Sequence, residues 1–253
     1  MGLIIGGVSA RDLILDGHSV SLYVGGSPPV KVWPTQEERE TVQITLGSLY
    51  QARDQLRAAL ADRGLNYQTV TRIPFDIELL GSGSAREMFF GCKALTHAPA
   101  INTSSVTNMH YMFNGCSALT HAPDMDTSGV TNMHGMFYDC SALTYAPDMD
   151  TSGVTNMHGM FYNCAALTSA PDMDTSQVTD MGGMFYNCAA LTTVPDLDTG
   201  QVMYTDEMFW GCMSLTDGNV RLIGRHPQVD TTNMIYGSGL TRLPFYDTNG
   251  NPI

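Results

Sequence analysis

The sequence predicts an α/β solenoid of short strand–turn–helix coils, and three observations predict it. All six cysteines stand 24 residues apart, at Cys92, Cys116, Cys140, Cys164, Cys188 and Cys212. Other columns keep the same period. A methionine precedes each cysteine by four residues (Met88 to Met208), a phenylalanine by three (Phe89 to Phe209), and a leucine follows by three (Leu95 to Leu215). Charge follows the repeat as well. Of 25 acidic and 12 basic residues, 13 acids and no Lys or Arg lie between Lys93 and Arg221. The net charge of −13 therefore belongs to one segment, and the remainder of the chain is neutral. A period of this size over many columns marks units that cannot bury their apolar faces alone and must stack.

One unit shows how a coil is expected to form. In the segment 130–140, Met133, Met136, Phe137 and Cys140 recur at i, i+3, i+4 and i+7, one face of a short helix, with Thr131 or Asn132 as N-cap. Residues 143–150 read as extended, with Pro147 forbidding helix and limiting the strand. Thr151-Ser152-Gly153 turns into the next coil. Neighbouring coils are expected about 4.8 Å apart along a parallel sheet.

The units at 130–144 and 154–168, both built on Val-Thr-Asn-Met-His-Gly-Met-Phe-Tyr followed by Asp-Cys or Asn-Cys, resemble the BspA-like leucine-rich-repeat surface proteins of bacteria and bacteriophages. The resemblance covers 84–216, about half of the chain. It implies a right-handed leucine-rich-repeat-like solenoid used for binding, and no catalysis.

The flanks divide the rest. Residues 1–34 read as a β-rich anchoring module, with Val20–Val24 and Val30–Pro34 as strands around a Gly-Gly-Ser-Pro-Pro turn. Leu22-Tyr23-Val24-Gly25 with Lys31-Val32-Trp33-Pro34 resembles a short hairpin motif of phage tail and other virion proteins. Residues 35–65 read as an amphipathic helix, opened by a Thr35/Glu38 capping box and stopped by Gly64. Val42, Leu46, Leu49, Leu56 and Leu60 form a heptad-type seam along it. Two readings stand: packing within the chain, or a homo-oligomeric coiled coil, in that case a trimer. Residues 66–83 read as a linker ending in Gly81-Ser82-Gly83-Ser84, and 217–253 as a degenerate repeat and cap, where Arg221, Arg225 and Arg242 restore positive charge.

Candidate sites lie in surface columns. Phe90, Tyr138, Tyr162, Tyr186 and Trp210, with Asn114 interrupting, follow the core Phe by one residue and form an aromatic column suited to stacking on sugar rings or on a protein partner. Asp124/Asp126, Asp148/Asp150, Asp172/Asp174 and Asp196/Asp198 stack in two columns of carboxylates. Repulsion between them is relieved by backbone donors in turns, by solvent, or by weakly bound Ca²⁺. His97, His121, Tyr145, Ser169 and Thr193 form a further variable column. The cysteines read as compact buried fillers, with disulfides between adjacent coils as the alternative.

Several classes are excluded. No apolar run reaches the roughly 18–20 residues of a membrane span. The opening Met1-Gly2-Leu3-Ile4-Ile5-Gly6-Gly7-Val8 lacks the basic flank of a secretory signal. Acidity opposes nucleic acid. No phosphate loop, nucleophile elbow or zinc ligand set occurs. The expectation is a non-enzymatic phage virion structural protein whose N-terminus binds other virion proteins while the acidic solenoid meets a host-surface glycan or protein. A bacterial cell-surface adhesin of the same repeat family is the alternative.

Overall fold

The 24-residue period becomes a ladder. Parallel bridges join Asn108 to Asn132, Asn132 to Asn156, Asn156 to Asp180 and Asp180 to Tyr204, and a second line joins His97 to His121 and His121 to Tyr145. Each unit is one rung laid on the one before. This computed structural model describes residues 40–47 and 50–253, and before them the backbone of five strands.

The helix expected in each rung is absent, and consecutive turns take its place. Met136, Tyr138 and Cys140 donate their N–H groups to the carbonyls of Met133, Gly135 and Phe137, three residues back. The intervening N–H groups of Met133, Gly135, Phe137 and Asp139 reach the next rung, meeting the carbonyls of Asn156, His158, Met160 and Tyr162 at 3.0, 2.8, 2.9 and 2.8 Å. The reason is local. Gly135 (φ 57°) and Asp139 (φ 58°) are left-handed, the conformation of the third residue of a type II turn and one that no helix interior contains. The apolar periodicity still holds, because Met133, Met136, Phe137 and Cys140 are all fully buried. A run of four-residue turns buries the same positions as a helix, so spacing alone does not separate the two. Asn132 accordingly closes a turn onto the His134 N–H at 2.9 Å and caps no helix.

Inside the stack each column bonds to its own kind. The six repeat phenylalanines lie face to face, with centroids 5.0, 5.5, 5.6, 5.6 and 5.8 Å apart. Each thiol from Cys116 to Cys212 donates to the carbonyl of a Phe 27 residues earlier, at 2.9–3.2 Å. Buried Thr103, Thr127, Thr151 and Thr175 donate their hydroxyls to the carbonyls of Asp126, Asp150, Asp174 and Asp198 at 2.8–2.9 Å. The Phe carbonyls thereby accept twice, since each already takes the N–H of the cysteine three residues on, while the threonine hydroxyls satisfy the Asp carbonyls of the next rung.

Before the stack, β1 (Ile4–Ile5) pairs antiparallel with β2 (Val8–Ser9), and β3 (Leu13–Leu15), β4 (Val20–Leu22) and β5 (Val30–Val32) form an antiparallel sheet. The predicted helix over 35–65 is cut to α1 (Gln51–Ala61), because β6 (Thr41–Thr45) precedes it. Four of the five β6 residues are β-branched, and Val42 and Ile44 alternate inward between Thr41, Gln43 and Thr45. The strand pairs parallel with β7 (Asp76–Leu80). The capping box at Thr35 and Glu38 lies outside the described residues. The heptad seam is thereby dissolved: Val42 is on a strand and Leu46 just after it, Leu49 lies outside the described residues, and Leu56 and Leu60 are fully buried in the chain's own core.

Residues 66–83 are likewise no linker. Tyr67, Val70, Ile73, Phe75 and Ile77 are buried, and Arg72 and Ile77 bridge to His97 and Ile101, so this segment is an opening rung. Gly83–Ser84 is β8, paired with β9 (Val106–Asn108) rather than free as a joint. At the far end β10 (Leu197–Asp198), β11 (Leu222–Ile223) and β12 (Phe245–Tyr246) form a parallel sheet, closed by a Tyr246–Pro252 bridge. Between β11 and β12 the degenerate unit still makes a rung, since Met234 and Tyr236 carbonyls accept from Phe209 and Gly211 at 2.8 and 2.9 Å. Among the described residues no helix is long and apolar enough to cross a membrane.

Candidate functional site

The two aspartate columns share one outward face. On each short extended segment Asp124, Asp148, Asp172 and Asp196 alternate with buried Met125, Met149, Met173 and Leu197, and Asp126, Asp150, Asp174 and Asp198 point outward again. In the second column each carboxylate closes a turn: Oδ1 of Asp126, Asp150, Asp174 and Asp198 accepts the N–H two residues on at 2.9–3.1 Å. The Ser128 and Ser152 hydroxyls and N–H groups hold Asp126 and Asp150 below the usual carboxylate range, and those of Ser176 do the same for Asp174. In the first column Asp196 pairs with Arg221 at 3.0 Å. Among the described residues no three His, Cys, Asp or Glu side chains converge on a position that would hold a metal ion.

The aromatic column forms, and it is longer than its sequence spacing suggests. Tyr138, Tyr162 and Tyr186 stack with centroids 4.3 Å apart and planes within 3°. Trp210 continues the column at 5.8 Å, and Tyr236 of the last rung continues it at 4.3 Å. At the other end Asn114 breaks the sequence pattern, and Tyr111 supplies the ring instead, edge-on to Tyr138 at 6.1 Å. Tyr111 lies across Gly135, where any Cβ would come within 2.0 Å of its ring. Phe90 makes no ring contact among the described residues. Partial burial raises the phenol pKa of Tyr138 and Tyr162. Rings 4.3 Å apart leave no room for a ligand between them, so the stack offers ring edges and hydroxyls along its length. One full face is left, on Tyr236, which is 62% exposed.

A histidine column beside it carries the repeat's polar chemistry. His110, His134 and His158 lie with centroids 4.5 and 4.9 Å apart. Burial, helped by His134 and Arg86, pushes His110 down to about 4, and its Nε2 has no hydrogen-bond partner. Burial and His158 lower His134, whose Nε2 lies 3.1 Å from the Tyr111 hydroxyl. His158 is raised by its 3.3 Å contact with Asp180, which outweighs its burial. This column was absent from the sequence reading, yet its signal was there: three histidines 24 residues apart, each two residues before a core methionine. The line of His97, His121 and Tyr145 is solvent-exposed. All six cysteines are free and buried, and burial pushes the Cys92 and Cys212 thiols up to about 12, so they are poor nucleophiles.

Comparison with known proteins gives three results. No curated protein matches the chain. Among solved structures it is similar to a leucine rich repeat protein of T. pallidum (TpLRR), with 21% identity over 79% of this chain and 82% of that one and a TM-score of 0.45. A family described as "Mycoplasma protein of unknown function, DUF285" matches residues 83–170 and 145–239. Together those spans enclose the repeat at 84–216, run on through the rung that ends with Tyr236, and exceed half of the chain. The chain belongs to that DUF285 repeat family.

Proposed function

We propose that this protein is a non-enzymatic binding protein, with the acidic repeat stack presented outward to a glycan or protein of a host surface. One observation carries the reading: the ladder holds chemically identical side chains in register on the outside. Eight carboxylates lie on one face, and a column of ring edges and hydroxyls runs along the rungs. Recognition by an extended repetitive surface suits a partner that is itself extended, whereas catalysis needs one asymmetric constellation. No nucleic acid or membrane is assigned as a partner. The N-terminal strands would attach the protein to a phage virion beside other virion proteins; a bacterial cell surface is the alternative carrier, and the family match to Mycoplasma proteins favours a bacterial setting.

The test is binding of the purified chain to whole bacteria and to a glycan array, with Tyr162→Ala and a combined Asp148→Asn, Asp172→Asn variant as probes. Retention of binding by both variants overturns the assignment to these faces, and loss by one selects between them. Antibody labelling of phage particles decides the carrier: label on no particle removes the virion.

A further inference from the structure

The last rung leaves a row of backbone donors open. In the rung before it, the N–H groups of Thr205, Glu207, Phe209 and Gly211 meet the carbonyls of Asp230, Thr232, Met234 and Tyr236 at 2.8–2.9 Å. The equivalent groups of the last rung are the N–H groups of Thr231, Asn233, Ile235 and Gly237. None of them donates to any partner among the described residues. Asn233, Tyr236 and Gly237 are solvent-exposed. Asn233 (φ 53°) and Gly237 (φ 68°) keep the left-handed geometry that aims the four donors the same way as in every earlier rung. The segment after β12 folds back on the other line of the ladder, through the Tyr246–Pro252 bridge and the Ile253 N–H to Phe245, and leaves this row uncovered.

The geometry points to a docking edge at which a segment of a partner polypeptide, folded as the same run of turns, adds as one more rung. Two independent features specify it. Four donors at alternate residues, with no acceptor among them, call for carbonyls at alternate residues, too long a row for a single oxyanion. The open face of Tyr236 continues the ring column, so a ring or proline of the same segment would lie on it. A second copy of this chain fits poorly. Brought up by the same end, it sets donors against donors. Brought up by its first rung, it offers the equivalent carbonyls of Ser84, Arg86, Met88 and Phe90, but the row is broken at Met88, which is fully buried and whose carbonyl already accepts the Tyr67 hydroxyl at 2.7 Å. The proposal does not depend on either side face binding anything.

The probe is a synthetic peptide of residues 154–168 with Cys164→Ser, the segment whose carbonyls pair with the preceding rung inside the stack. Amide exchange is followed by NMR in the full chain. In the free protein the four amides are expected to exchange about 100-fold or more faster than those of Met133, Gly135, Phe137 and Asp139. Added peptide should slow the four selectively, and Tyr236→Ala should weaken peptide binding about 2- to 10-fold while leaving the fold intact. Slow exchange of the four in the free protein overturns the proposal. If that protection grows with protein concentration, the occupant is a second copy and the partner assignment falls. No protection at about 1 mM peptide, an affinity floor below which adding a rung has no use, also overturns it.

Discussion

At the N-terminal end of the stack the first turn run is met by the non-repeat segment before it, with Ala85, Met88 and Phe89 fully buried, Arg53 of α1 paired with Glu87 at 2.5 Å and the Tyr67 hydroxyl on the Met88 carbonyl. At the C-terminal end the last rung meets solvent with four N–H groups unspent and Tyr236 uncovered. The chemistry of a rung is the same at both places. What differs is whether the chain supplies something other than a rung to close it. A repeat array makes identical interfaces until it stops, so only its ends can acquire individuality, and this chain has used its non-repetitive residues to close one end and part of the other.

The largest test of that contrast is in the phenylalanine column. Phe161→Ala, between two neighbours, is expected to cost about 3–5 kcal/mol in urea unfolding, and Phe89→Ala at the covered end nearly as much. A much smaller loss at Phe89 would break the claim that the segment before the repeat completes the burial there. Leu56→Ala in α1 should cost about 2–5 kcal/mol with no change in oligomeric state by light scattering. Dissociation of an oligomer without loss of stability would restore the heptad seam.

A smaller effect separates interior rungs from the open one. Gly135→Ala meets left-handed strain of about 1–2 kcal/mol and also the Tyr111 ring, whereas Gly237→Ala meets the strain alone, its nearest neighbour being 3.8 Å from the new Cβ. Equal losses at the two glycines would show that the Tyr111 ring moves aside from Gly135 at no cost. The smallest effect is set by pH. His110 is held neutral in the fold down to about 4 against an ordinary value of 6.5, so the unfolded chain binds more protons between those values. Stability should therefore fall as pH drops from 6.5 toward 4, with His134 adding in the same direction and His158, raised by Asp180, opposing. His110→Asn should flatten that slope in melting curves recorded across the window; an unchanged slope would show that His110 is not its source.

How much was legible follows from which signals are periodic. The columns Met136, Phe137 and Cys140 are buried as their spacing requires, and the outward Asp126 column closes turns, one of the outcomes open to it. The turn run was not legible as turns, because Gly135 and Asp139 at φ near +57° write the same apolar pattern as a helix. The aromatic column was legible at Tyr138 to Trp210, but Tyr111 joins it from a different sequence position by crossing a glycine, and Tyr236 joins after a rung lengthened by two residues, from Tyr204 to Asp230. The heptad spacing from Val42 to Leu60 was coincidental: β-branched residues at 41–45 paired with a strand 35 residues downstream, a partner no local window contains.

By itself the sequence determined the period, the buried columns and the location of all the net charge, since each is a property of residues 24 apart repeated until chance is excluded. The tertiary structure decided the form of the rung, the order of the rings and the state of the ends. Those depend on which hydrogen bonds remain to be made after the stack has formed, and a bond that closes between rungs has no counterpart within one.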